Sequence, residues 1–297
     1  MISVVIPVYN REGVIEIAIR SVLNQTYKDF ELIIVDDCST DKTMDVVNSF
    51  EDNRIRMIQM PKNSGAAAAR NMGIINTKAD LISLLDSDDF YEPNFLEESY
   101  SILKNSASGI GFMWTGIRTI RNKKIETSCW QPTFVESNYL TFLHALHIGT
   151  NSGISIKKKV FESCGLFNEK LPAAEDTDFF LRITQHFGYV CSPKILININ
   201  KSGDDRLSKN YKKIATAYNL FLPQHFSAID KSKKLQKKFF YKMMWLNYHL
   251  SSKSLARFYF KKLISLKLVD KKTILVCTIF ELFSNRIASK LHLTLSN

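Results

Sequence analysis

The sequence predicts an α/β fold, a parallel sheet with helices on both faces, followed by a basic all-helical extension. Three observations carry this. Short apolar runs alternate with segments of helical period through the N-terminal third, joined by short connections, which is the pattern of successive strand–helix–strand units. Two of the runs end in clustered acids, Asp36-Asp37 and Asp86-Ser87-Asp88-Asp89, and such sheets bind ligands at the carboxyl ends of their strands. Charge then changes near residue 200. Residues 201–297 hold 20 Lys/Arg against 5 Asp/Glu, net +15, whereas residues 1–200 hold 20 against 24, net −4. The expected organisation is a sheet domain over 1–205 and a basic helical region over 206–297.

Ile2 to Ile6 is a β-branched run that Pro7-Val8-Tyr9-Asn10 breaks. From Glu12 to Gln25, Val14, Ile15, Ala18, Ile19, Val22 and Leu23 recur at helical spacing. Glu31 to Val35 is a second buried strand, and Ser39-Thr40-Asp41 then starts a helix. Arg54 to Gln59 alternates as a third strand. Asn63-Ser64-Gly65 turns into an alanine-rich helix, Ala66 to Ile75, and Leu81 to Leu85 is the next buried strand. Pro93 opens a helix over Asn94 to Leu103. Gly109 to Ile120 is a long strand, returned through Arg121-Asn122-Lys123-Lys124 to a partner beginning at Ile125. Glu136 to Leu146 is helical. Ile148 to Ile156, with Gly149, Asn151 and Gly153, reads as an irregular strand that another backbone or a ligand approaches. Lys157 to Cys164 is a short helix. The acids Glu175-Asp176-Thr177-Asp178 open another, where capping and dipole compensation explain them without chemistry. Tyr189 to Ile199 is a strand, Lys201 to Asn210 a polar loop, and the chain beyond Tyr211 is helical throughout.

Composition excludes several classes. The five cysteines (Cys38, Cys129, Cys164, Cys191, Cys277) are scattered with no C-x-x-C pair, which argues against a zinc site or a disulfide framework and suits a reducing compartment. No basic n-region or cleavage site marks a signal peptide at the start. No apolar run approaches the roughly 20 residues of a membrane span. A cytoplasmic protein is expected. The helices beyond residue 210 interleave Lys233, Lys234, Lys237, Lys238 and Lys242 with Phe239, Phe240, Met243, Met244 and Trp245, and set Phe258, Tyr259 and Phe260 against Lys261 and Lys262. Such basic-aromatic helices fit an anionic lipid surface. A helical cap with a solvated basic face is an equal alternative. No nucleic-acid-binding motif is present, and no nucleic-acid partner is expected.

Asp86 and Asp88 follow a buried strand directly. Carboxylate oxygens in that position suit a hard divalent cation, Mn²⁺ or Mg²⁺, whose open sites would take phosphate oxygens. A D-x-D stretch is common, and alone it is better read as an acidic strand-to-helix turn in which Asp89 or a neighbour caps the next helix. The rest of the chain reverses that preference.

Six stretches, in order and at matching spacing, carry a resemblance. They are Val5-Ile6-Pro7-Val8-Tyr9-Asn10, Ser21-Val22-Leu23-Asn24-Gln25-Thr26, Val35-Asp36-Asp37-Cys38-Ser39-Thr40-Asp41, Asn63-Ser64-Gly65 with Ala69-Arg70-Asn71-Met72-Gly73, Asp86-Ser87-Asp88-Asp89, and Glu175-Asp176. Over residues 1–205 the chain resembles the family 2 inverting glycosyltransferases of bacterial surface-polysaccharide type. The resemblance implies the GT-A fold, a Rossmann-like mixed sheet flanked by helices, and transfer of a sugar from a nucleotide-sugar, a UDP-sugar above all, to a glycan or lipid-linked acceptor. It implies that Pro7, Tyr9, Asn10 and Asp37 line the nucleobase pocket and Asp36 holds ribose or backbone groups. Arg70 would face the diphosphate, Asp86 and Ser87 the ribose side, and Asp86 with Asp88 the metal. Asp176 would be the catalytic base, with Glu175 beside it. Arg182 fits an arginine seen downstream in the family's helix, and Ala66 to Ala69 departs from the family's more varied residues. Arg206, in a flap over 201–208, would reach phosphate. Working at the inner face of a membrane, as a peripheral protein, follows from the basic extension. Two alternatives stand beside this reading. One is a non-catalytic nucleotide-sugar-binding scaffold on the same fold, which intact Asp86, Asp88 and Asp176 oppose. The other is a nucleotidyltransferase, which lacks its glycine-rich phosphate loop here. Donor choice would rest on residues such as Trp114, Asn151 and Ala173-Ala174.

Overall fold

The computed structural model describes all residues except 122–123, 132–133, 135, 146–149, 201–209, 284–286, 289–290 and 292–297. The chain divides into two compact units. One comprises Met1–Glu169 and Asp176–Asp204, and the other Lys170–Glu175 and Asp205–Asn297.

The first unit is a mixed sheet with helices around it. Its N-terminal half runs β1 (Ile2–Val8), α1 (Ile15–Leu23), β2 (Phe30–Asp36), α2 (Thr43–Asn48), β3 (Ile55–Gln59), α3 (Ala66–Ile75) and β4 (Leu81–Leu84). These strands lie parallel in the order β3-β2-β1-β4. Every residue of β1 and β2 is buried, as expected for parallel strands covered on both faces. Side-chain alternation divides the two faces. Ile2, Val4, Ile6, Leu32 and Ile34 pack with Ile15, Ala18, Ile19 and Val22, the i, i+3, i+4, i+7 stripe of α1. Ile33 and Val35 point the other way and pack with Ala68 and Ala69 of α3. Small residues let α3 lie close. A Cβ on Gly73 would collide with Val5 Cγ1 and press on Val35 Cγ2.

The second half is β5 (Phe90–Tyr91), α4 (Phe95–Asn105), β6 (Ile110–Arg121), β7 (Lys124–Ser128), α5 (Asn138–Ala145), β8 (Ile154–Lys157), α6 (Lys158–Cys164), α7 (Glu175–Ile183) and β9 (Gly188–Asn200). The sheet continues β4-β8-β6-β9-β5, with β7 on β6. It is therefore mixed and not wholly parallel, because β8 enters antiparallel between β4 and β6. β6 and β9 are parallel to each other, and β5 is antiparallel to β9. The irregular strand expected from Ile148 is ordered pairing only over Ile154–Lys157; residues 148 and 149 lie outside the described residues.

The second unit is helical: α8 (Tyr211–Phe221), a 3-10 turn (Leu222–His225), α9 (Phe226–Ile229), α10 (Lys233–His249), α11 (Lys253–Ser265) and α12 (Lys271–Leu282). Phe239, Phe240, Met243 and Met244 are buried, with α10 packed on α8, α11 and α12. Tyr248 stacks on Phe280 at 5.0 Å between ring centroids. Four of the apolar side chains that the sequence sets among lysines are thus core, and Lys242 folds back onto Tyr218, its Nζ 2.6 Å from the hydroxyl.

Candidate active site

The carboxyl ends of β1, β2 and β4 gather the acids and the loops that hold them. Val8 pairs with Asp36 at the end of β1, and Asp37 donates its N–H to Val8 O at 2.8 Å. Pro7 is buried in β1 and Tyr9 stands exposed just past it. Asn10 adopts φ 50°, a left-handed turn that asparagine tolerates well. Its N–H donates to Ser39 Oγ at 2.9 Å, and its Oδ1 accepts from the Thr40 N–H at 2.8 Å. The loops after β1 and β2 are thereby locked together.

Asp36 and Asp37 are both buried. Asp36 accepts the Ser39 N–H on both oxygens, at 3.1 and 3.2 Å. Asp37 accepts the Ser64 N–H on Oδ1 and the Gly65 N–H on Oδ2, each at 2.7 Å. These amides lead into α3, so Asp37 supplies the anion that a helix N-terminus favours. A carboxylate offers about four acceptor positions, so these two bonds leave capacity for a ligand N–H.

Arg70, in the second turn of α3, donates Nη2 to Asp86 Oδ1 at 2.7 Å. Its guanidinium also lies 5.9 Å from the Phe167 ring. The neighbouring Asn71 holds the same segment. Its Nδ2 donates to Phe167 O at 2.9 Å and to Glu169 Oε1 at 2.8 Å, and its Oδ1 accepts the Phe167 N–H at 3.0 Å. One helix turn thus ties the β4 acids to the segment after α6.

Beyond β4, Ser87 and Asp89 are buried, Asp86 is partly buried and Asp88 is exposed. Ser152 bridges two members of this cluster. Its hydroxyl donates to Asp89 Oδ2 at 2.6 Å and accepts the Asp86 N–H at 2.9 Å. Asp89 Oδ1 accepts the Asn200 N–H at 3.1 Å. Burial, with Asp86 and Asp88 close by, pushes the Asp89 carboxyl well above the usual range. Ser152 carries no motif signal of its own, and only the small-residue run around Asn151 and Gly153 points toward it. Asn71 falls inside the Ala69-to-Gly73 stretch, but the sequence assigns it no task.

Asp86 and Asp88 fit a hard divalent cation. Mg²⁺ is held by one or two carboxylates with phosphate oxygens completing its shell, rather than by an all-protein cage. Among the described residues no group of three or more His, Cys, Asp or Glu is placed to hold a metal.

Ser152 also lines a cavity of about 590 Å³, walled by Trp114, Trp130, Phe142 and Phe180 and edged by Thr115 and Thr150. Trp114 Nε1 donates to the Trp130 backbone O at 2.8 Å, which fixes the Trp114 indole. Beside Ser152, Asn151 is buried, and its Oδ1 has no hydrogen-bond partner among the described residues. Phe180 brings α7 to the cavity wall. Asp176 is four residues earlier and shares that face of the helix. Asp176 Oδ1 accepts the Thr177 N–H at 2.6 Å and the Thr177 hydroxyl at 3.2 Å. Glu175, the first residue of α7, is partly buried. Ala173 is buried, and Ala174 adopts φ 56° just before the helix. Asp178 and Arg182 form an ion pair at 2.9 Å, and Arg182 also donates to Cys164 O and Leu166 O. That gives Arg182 a structural task in seating α7. Arg206 and the 201–208 flap lie outside the described residues.

The mixed sheet is matched by solved structures. TarS residues 1–349 from S. aureus, crystallised in complex with UDP-GlcNAc, superposes with a TM-score of 0.62 over 89% of this chain and 91% of that one, at 19% identity. That likeness shows the fold, the GT-A arrangement expected from the sequence. Among curated proteins, one from Escherichia coli named for colanic acid biosynthesis (WcaA) is 29% identical over 243 residues, 79% of this chain and 84% of the relative. An uncharacterized glycosyltransferase of Haemophilus influenzae is 42% identical over 105 residues, and a Bacillus subtilis protein named for teichuronic acid biosynthesis (TuaG) is 38% identical over 114. These two alignments take in 35% and 38% of this chain, and span only 42% and 45% of those relatives' own length. Residues 3–165 match the family described as Glycosyl transferase family 2, from β1 through the acids after β4 to the end of α6. The chain belongs to glycosyl transferase family 2.

Proposed function

We propose that the protein transfers a sugar from a UDP-sugar to a hydroxyl of a glycan or lipid-linked acceptor in surface-polysaccharide synthesis, with inversion at the anomeric carbon. The observation that carries this reading is the joined cluster of Arg70, Asp86, Asp89 and Ser152, which opens onto an aromatic cavity beside α7. Relatives named for colanic and teichuronic acid synthesis support the substrate class.

Each part of the reaction has residues suited to it. Tyr9 offers a ring for stacking on the base, and Asp37 offers acceptor capacity for a nucleobase N–H. Asn10 and Asp36 hold the loops that shape the pocket. Arg70 would neutralise diphosphate charge, and Ser87 would lie on the ribose side. Asp86 and Asp88 would hold Mn²⁺ or Mg²⁺, which when bound neutralises charge on the leaving UDP. The cavity suits a saccharide, since indole faces stack on sugar rings. Asp176 takes the proton of the acceptor hydroxyl as its oxygen attacks the anomeric carbon and the bond to UDP breaks. The Thr177 contacts fix the orientation of that carboxylate, and Glu175 adds negative potential. We place the sheet domain at 1–205 and assign the basic region over 206–297 to the inner face of a membrane, where lipid-linked acceptors are met. No helix among the described residues is long and apolar enough to cross a membrane.

A panel of nucleotide sugars with purified protein and Mn²⁺, reading released nucleoside diphosphate with a membrane extract as acceptor, tests this. Release from a UDP-sugar, abolished by EDTA and by Asp88→Ala, is expected. Tight UDP binding with no turnover across the panel would replace the enzyme with a nucleotide-sugar-binding scaffold.

A further inference from the structure

The helical unit leaves one apolar face outside. Phe258 and Ile264 on α11, and Ile274, Leu275, Leu282 and the following Phe283 at α12, are 45 to 74 % exposed. On α11 the outward positions Arg257, Phe258, Lys261 and Ile264 follow helical spacing, while Ala256, Tyr259 and Leu263 face inward. α12 is apolar on both sides. Thr273, Val276, Cys277 and Phe280 are buried, and Ile274, Leu275 and Leu282 are turned out. A helix apolar all round belongs in a core or in lipid, and exposed apolar patches of this kind mark interaction surfaces.

The two outward faces are joined. Arg257 Nε and Nη2 donate to the two oxygens of Glu281, at 2.8 and 2.7 Å. This pair is the point at which the α11 and α12 surfaces touch, one residue from Phe258 on α11 and one from Leu282 on α12.

The charge around the face is one-sided. Lys261, Lys267, Lys271 and Lys272 are exposed, and none of the four is in an ion pair among the described residues. Lys262 lies 5.4 Å from the Phe258 ring. The only acids from Tyr211 onward are Asp230, Asp270 and Glu281. Asp270 is paired to Lys237 at 2.8 Å and caps α12 through the Thr273 N–H. Glu281 is paired to Arg257. The acids nearest the face are thus neutralised within the unit, and the lysines are left for a partner. A second copy of the chain, docked face to face, would set these lysines against their own equivalents.

We propose that the α11–α12 face docks on an anionic bilayer, with Phe258, Leu275 and Leu282 entering the headgroup boundary and Lys261, Lys267, Lys271 and Lys272 on acidic lipid. This deepens the membrane assignment above by naming the face and moving it off α10. It rests on that reading only for why the enzyme is there. Apolar insertion with a lysine rim gives binding that depends on both lipid charge and salt.

Full-length protein is floated with phosphatidylcholine vesicles and with vesicles one-third phosphatidylglycerol. At least about tenfold tighter partition onto the anionic vesicles is expected, weakening as salt rises. Phe258→Glu/Leu275→Glu/Leu282→Glu should lower it about tenfold or more. Lys261→Gln/Lys271→Gln/Lys272→Gln, which leaves every buried residue untouched, should abolish the preference for anionic lipid. Equal partition onto both vesicles, or unchanged binding by the lysine variant, would overturn the proposal. So would a stable dimer in light scattering that the glutamate variant breaks, which would give the face to a second copy. UDP release with the membrane-extract acceptor, measured on the same protein samples, separates the two readings. Turnover without vesicle binding removes the docking face alone, and vesicle binding without turnover removes the transferase alone.

Discussion

Arg70 Nη2 stands 2.7 Å from Asp86 Oδ1, with the arginine side chain 7% exposed and the aspartate 28%. The pair links α3 to the end of β4. Breaking a buried pair strands a charge, and the partial exposure of Asp86 lowers that cost. Arg70→Ala should therefore destabilise the protein by about 2 kcal/mol, read by urea unfolding. It should also weaken UDP binding in a titration, because the cation proposed to face the diphosphate is gone. Unchanged UDP affinity would leave the arginine a purely structural role.

Gly73 tests how closely α3 lies on the sheet. Alanine is the better helix former by about 1 kcal/mol, so an open site would be stabilised by the change. Here the added methyl meets Val5 and Val35, both buried. Overpacking of that kind typically costs about 1–3 kcal/mol, so Gly73→Ala should show a net loss in thermal unfolding. It should also tilt α3 and disturb Arg70, three residues earlier on the same helix.

How much of the fold and site is legible in the sequence depends on how local the cause is. β1, β2 and β4 announce themselves because strands covered on both faces must be apolar at every position. Acids that come directly after such strands necessarily fall at one edge of the sheet. The reversal at β8 is hidden, since Ile154 to Lys157 would look the same running either way. β5 escapes because two residues, Phe90 and Tyr91, leave no periodicity to detect. What Ser152 and Asn71 hold together is silent in the sequence, because their partners lie far along the chain. Asn71, for instance, binds Phe167 across 96 positions. Phe239 and Phe240 mislead in the opposite sense. Lysines beside them in sequence suggest a surface, but α10 is enclosed by neighbouring helices and Lys242 turns to the buried Tyr218.

The Arg257–Glu281 pair should make stability depend on acid. The Arg257 hydrogen bonds hold the Glu281 carboxyl down at about 2 from its ordinary 4.5, with a smaller contribution from the Tyr248 hydroxyl. The folded state thus favours the ionised form. Its contribution is complete above pH 4.5 and fades as pH falls through about 2. Because Arg257 is largely exposed, solvent screens the pair and its worth at neutral pH is small. Glu281→Gln should lower Tm at pH 7, with the gap to the unaltered protein closing steadily in acid. A gap that is constant with pH would mean that the lost interaction is packing.

Asp176 supplies the sharpest test of the reaction itself. Its Oδ1 accepts from Thr177 whether the residue is aspartate or asparagine, so Asp176→Asn should keep the shape of the α7 start. What the amide lacks is a basic oxygen for the acceptor proton. General-base assistance is worth on the order of 10²–10⁴ in rate, and turnover should fall by that factor. UDP affinity should stay put, since the proton is taken from the acceptor and not from the donor. A variant that loses UDP binding and turnover together would make Asp176 part of the donor pocket. One that keeps both would pass the proton to another group, with Glu175 the nearest carboxylate in sequence to examine next.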